Sequence, residues 1–260
     1  MKPQADPSFG SIAFASATSF LMLGCILFSS VAIALQPPPP ELVEQYKRDG
    51  TFAERAAFSA KLENHIMRPD LARRASLRLK QLANPDSATP KSPPPAWQGM
   101  PTKGTNRFPV FLIDFPDQPH VNAVSNIQSA LFEDGNPARY PKESLRNYYR
   151  RASYNQLELE GNLLDWHTMQ HEREWYPTNG GTAAVIAELI QHFDPIHDFA
   201  QYDRDGNGKV DYFAILWSGQ HTGWGSFWWA YYSGLPTPIV ADGVEFNRFS
   251  WQWESNPVGA

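Results

Sequence analysis

Asp203-Arg204-Asp205-Gly206-Asn207-Gly208-Lys209-Val210-Asp211 runs directly into Tyr212-Phe213-Ala214-Ile215-Leu216-Trp217, and the rest of the chain is organised around this stretch. Its first nine residues put oxygen-bearing side chains at positions 1, 3, 5 and 9 and a glycine at position 6. A hard dication of calcium's size takes about six to eight oxygens at roughly 2.3–2.6 Å, and a tight loop converges alternate side chains on one point. Asp203, Asp205, Asn207 and Asp211 are the candidate side-chain ligands, and Lys209, at position 7, offers its backbone carbonyl. Gly208 takes the sharp turn at position 6, where a Cβ would be strained. Position 12 falls on Ala214, so the bidentate Glu of a complete EF-hand loop is missing. The residues from Tyr212 to Trp217 are β-branched and aromatic, a strand composition rather than a helical one. The spacing predicts a calcium loop feeding a buried strand, with further ligands from water or from Asp194 or Asp198. The alternative is an Asp-Gly/Asn-Gly turn with solvated carboxylates.

Working outward, the amino-terminal side divides by composition. Ser11 to Leu35 is the longest apolar stretch, Lys2 precedes it, and Ala32-Ile33-Ala34 forms a small-residue cleavage pattern ahead of Gln36. Residues 1–35 read as a secretory signal peptide, with an uncleaved signal anchor in the membrane as the other reading. The expected location is therefore extracellular, with no stable membrane association once the signal is removed. Cys25, the only cysteine, leaves with it. No disulfide then stabilises the mature chain, and a bound cation is a sensible substitute. Residues 36–83 are rich in strong helix formers and read as a helical propeptide-like segment or cap, broken near Arg68-Pro69. Residues 84–105, with Pro85, Pro90 and Pro93 to Pro95, read as a linker.

Residues 106–260 then form the globular part. Phe108 to Phe115 is a continuous apolar run that suits a buried strand, and Gln156 to Glu160 alternates as a half-buried one. Helices are predicted over 122–132, over 141–151, and from Thr182, the expected N-cap, through Val185, Ile186, Leu189, Ile190 and Phe193. The economical fold class is α+β, with mixed α/β layers. Lys+Arg 22 against Asp+Glu 27 is mildly acidic, so nucleic acid is not an expected partner.

The order of motifs carries a resemblance. Phe108-Pro-Val-Phe-Leu-Ile-Asp-Phe-Pro-Asp117 is followed by Tyr140-Pro-Lys-Glu-Ser-Leu-Arg-Asn-Tyr-Tyr149 and Ala152-Ser-Tyr-Asn-Gln-Leu157. Then come the acidic glycine loop and the strand ending Trp217-Ser218-Gly219. The series resembles the secreted zinc metalloproteases of the immune inhibitor A type (peptidase family M-six), from about Arg107 to Trp253. The resemblance implies a signal peptide and propeptide ahead of a calcium-stabilised, zincin-like metalloprotease domain that hydrolyses peptide or protein substrates. It also implies His-Glu-x-x-His on a helix, holding the zinc, and the 260 residues contain no such motif. The nearest string, His171-Glu172-Arg173-Glu174-Trp175, has Trp in place of the second ligand and reads as an exposed polar segment, Arg173 included. In the family's order the zinc helix comes after Glu254, so the chain is expected to be the amino-terminal part of such a domain, inactive as it stands. Zinc belongs only to a longer version, and no catalytic residue is assigned. In this reading the strand to Trp217 and the Gly219–Gly225 loop approach the substrate cleft, with His221 beside substrate. The competing reading is a secreted, non-catalytic calcium-binding module. Its partner surface, for glycan or protein, would come from the late aromatic cluster of Trp217, Trp224, Trp228, Trp229, Trp251 and Trp253, which otherwise reads as core.

Overall fold

The computed structural model describes residues 38–62, 100–134 and 143–254. The signal peptide, most of the 84–105 linker and the Arg68-Pro69 break lie outside the described residues. The architecture is mixed α/β: a five-stranded sheet with helices on both faces. Its strands are β1 (Gly104–Asp114), β2 (Leu157–Thr168), β3 (Phe213–Trp217), β4 (Tyr231–Ala241) and β5 (Val244–Trp253), in the order β2-β1-β3-β5-β4. β1 pairs in parallel with β2 and β3, β3 pairs in parallel with β5, and only β4 runs antiparallel, against β5.

β1 shows how the sequence dictates the layers. Side chains alternate across a strand. Phe108, Val110 and Leu112 therefore face one core, with Ile127 and Phe132 of α3 (Val124–Phe132). Phe111, Ile113 and Phe115 face the other, with Val185, Ile186 and Leu189 of α5 (Gly181–Phe193). A strand covered on both faces has no polar side, which is why its sequence is a continuous apolar run. α4 (Leu145–Ala152) starts on Ser144, whose hydroxyl accepts the Asn147 N–H at 3.1 Å. α5 is capped differently from expectation. Gly180, at φ +94°, is the N-cap, and Thr182 lies inside the first turn.

β4 and β5 are joined by Asp242-Gly243, both at positive φ (49° and 80°). That is the backbone of the two-residue hairpin turn whose twist matches its strands. Pairing between β4 and β5 shifts register between Gly234 and Ile239, the segment that carries Pro236 and Pro238. At the amino-terminal side, α1 (Pro40–Arg48) and α2 (Phe52–Leu62) form a helical pair. Among the described residues no helix is long and apolar enough to cross a membrane.

Candidate metal centre

The acidic loop sits between the short helical turn Ala200–Tyr202 and β3. Asp203, Asp205 and Asp211 each offer a carboxylate oxygen, and these oxygens all lie within 4.8 Å of one another. The loop's backbone holds that geometry. Asp203 accepts the Asn207 N–H at 2.9 Å and the Gly208 N–H at 2.7 Å, and Asp205 accepts the Asn207 N–H at 3.2 Å. Gly206 and Gly208 both take positive φ, 69° and 77°. A residue with a Cβ is strained there, so the alternating glycines are what let the loop fold back on its carboxylates.

Asp211 is the most informative of the three. It is buried, at 7% exposure. Its Oδ1 has no hydrogen-bond partner, and its Oδ2 receives only a long contact from the Arg204 N–H, at 3.4 Å. Burial, and then the charges of Asp205 and Asp203, push its pKa up to about 6, against the pull of the Arg204 N–H. A buried carboxylate oxygen without a donor is costly unless something positive answers it. Every donor is a hard oxygen, so the group can hold a metal ion of the hard class.

Of the other expected ligands, Asn207 is exposed and contributes its N–H to the loop's own bonding. Lys209 bridges to Glu245 of β5 through bonds made by the Gly208 carbonyl and the Val210 N–H, neither of which draws on its own carbonyl. Its ammonium is 3.9 Å from Glu245. Asp194 and Asp198 do not join the cluster; Asp198 instead accepts the Ala200 N–H at 2.9 Å. Spacing alone could not reveal how the loop is anchored. Arg204 reaches back to the Lys103 carbonyl at 3.1 Å and to the Asn106 side chain at the start of β1. The loop therefore ties together the amino-terminal ends of β1, β3 and β5.

The remaining candidates are dispersed. His171, Glu172, Glu174 and Trp175 are exposed, as read, with His171 and Trp175 stacked at 3.9 Å; Arg173 alone departs from that reading and is buried, at 5% exposure. Its guanidinium lies 5.1 Å from the Trp217 ring and 4.4 Å from Trp228, a cation held by aromatic faces. His221 is exposed between Trp229 and Trp253, with centroids at 5.2 and 4.9 Å. His167 and His192 approach each other to 4.2 Å beside Glu188, an arrangement the sequence spacing does not disclose. Trp217, Trp228, Trp229 and Trp251 are buried to 6% exposure or less, so most of the late aromatic cluster is core.

No protein-family model matches the chain, and no curated protein matches it.

Proposed function

We propose that the chain is the amino-terminal part of a secreted zinc metallopeptidase of the immune inhibitor A type, and that its acidic loop holds calcium as a structural brace. The observation that carries the calcium reading is the unanswered Oδ1 of buried Asp211, converging with Asp203 and Asp205. Calcium suits an all-oxygen set in a flexible loop, whereas zinc favours nitrogen and sulfur donors. Asp203, Asp205 and Asp211 would hold the ion, and waters would complete its shell. Bound there, calcium supplies charge that neutralises the three carboxylates, and the loop's hydrogen bonds keep them aimed inward.

The peptidase reading rests on the ordered motifs from Phe108 to Trp217. A mixed sheet in which the last of these motifs, β3, opens into the Gly219–Trp229 loop is compatible with it. Hydrolysis would need a zinc helix that these 260 residues do not contain, so the chain itself is assigned no catalytic group.

Thermal unfolding in excess calcium and in chelator tests the brace. At calcium about a hundredfold above its Kd, linkage gives roughly 2.7 kcal/mol, which for a domain of this size raises Tm by about 5–10 °C. Equal transitions in calcium and chelator would remove the brace. A longer version that binds no zinc and cleaves no peptide would remove the peptidase and leave the non-catalytic calcium module.

A further inference from the structure

The α1–α2 pair packs on the rim of the core, through the partly buried Phe58 and Leu62 of α2. No residue of α2 is buried, and only Tyr46 of α1 is. Yet its contacts with the loop after β3 are specific on both sides. Arg55 donates to the Thr222 carbonyl at 3.2 Å and to the Trp224 carbonyl at 2.8 Å, while its guanidinium lies 4.3 Å from the Tyr46 ring. Phe52 stacks with Trp224 at 6.3 Å, and Phe58 meets Tyr231 of β4 edge-on at 5.9 Å. Phe52, Arg55 and Phe58 fall three residues apart on one stripe of the helix.

The loop is shaped to receive that stripe. A Cβ on Gly225 would stand 2.4 Å from the Arg55 carbonyl oxygen, and one on Gly223 would stand 2.6 Å from the Tyr46 hydroxyl. Both glycines also take positive φ, 69° and 92°. Gly225 thus permits a close approach of the Arg55 backbone that a Cβ would block, and Gly223 leaves room for the Tyr46 hydroxyl.

We propose that the Gly219–Trp229 loop with Tyr231 is a helix-recognition surface, read by Phe52, Arg55 and Phe58, and that α1–α2 is a detachable strap latched on it by Arg55. The strap sets the loop's shape by occupying its carbonyls. The inference does not depend on the cation or on the peptidase reading.

Hydrogen–deuterium exchange on the full chain tests it. In the unaltered protein, amides of Phe52–Leu62 and the Thr222 amide, bonded to the Trp228 carbonyl at 2.8 Å, should open together and faster than β1. Arg55→Ala should accelerate both segments about tenfold, the cost of a lost charge-assisted bond, with β1 and Asp203–Asp211 unchanged. Gly225→Ala, which leaves the guanidinium intact but pushes the helix away, should do the same. Arg55→Lys should give a smaller acceleration of both. Three results would overturn the strap: exchange of Phe52–Leu62 as slow as β1 in the unaltered protein, acceleration of α2 with Thr222 unaffected, or no response to any of these substitutions.

Discussion

Asp211 is a carboxyl group whose fold favours its neutral form and whose sequence context asks it to bind a cation. Its ordinary pKa of 3.8 rises to about 6 in the folded chain. In the cation-free protein its contribution to stability is therefore fully present below 3.8 and is lost as pH rises through about 6. Asp211→Asn removes the conflict. At pH 7 in chelator it should stabilise the protein by about 1–2 kcal/mol, and it should also abolish the gain on adding calcium. Urea unfolding with and without calcium checks both halves, and a variant that still gains stability from calcium would mean the ion is held elsewhere. Gly161 is a second residue whose identity is dictated locally. It lies in β2 beneath α3, and a Cβ there would come 1.9 Å from the Phe132 ring. Gly161→Ala should cost about 2 kcal/mol by overpacking, read as a lowered urea midpoint. An unchanged midpoint would show that Phe132 moves aside freely.

Between α4 and β2, one carboxylate joins two elements. Glu158 accepts from Arg150 at 2.8 and 2.6 Å and from Arg146, and these bonds hold its pKa down at about 2 despite partial burial. A depressed carboxyl stabilises the fold above its ordinary value of 4.5, and that contribution is lost as pH falls towards 2. Glu158→Gln should flatten the fall in stability across this window, measured as urea midpoint against pH; a variant as acid-sensitive as the parent would place the effect elsewhere. The elements themselves were unequally legible. β1, β3 and α5 can be read from runs and periods because both faces of β1 and β3, and one face of α5, are buried against apolar neighbours. The β4–β5 hairpin is not assigned from sequence: Gly234, Pro236 and Pro238 interrupt its first strand, and its rings read as an aromatic cluster. Yet Asp242-Gly243, with Val240 and Val244 on either side, is a two-residue hairpin signal. Arg173 misleads for a different reason. A charged residue is read as exposed, and only the fold brings Trp217 and Trp228 to its faces. For the metal loop, spacing finds the three converging carboxylates, because loop geometry is local, but the anchors at Asn106 and Glu245 come from distant strands.

At the scale of the whole molecule, a loop that joins the amino-terminal ends of β1, β3 and β5 would couple an ion held by Asp203, Asp205 and Asp211 to the entire sheet. Removing the ion should lower one shared transition. Far-ultraviolet dichroism and the fluorescence of buried Trp217, Trp228 and Trp251 should keep coincident midpoints in chelator as in calcium. A fluorescence midpoint that stays fixed while dichroism moves would confine the ion's effect to the loop. The sheet also ends on its one antiparallel strand, β4, with Pro236 and Pro238 inside the interrupted pairing. Proline has no N–H to offer a neighbour, and an irregular edge presents no straight row of donors and acceptors. A second molecule approaching that border would find gaps where a continuous ladder would have to begin, which disfavours growth of the sheet along it. Two prolines thus work against fibrous growth at the outer strand.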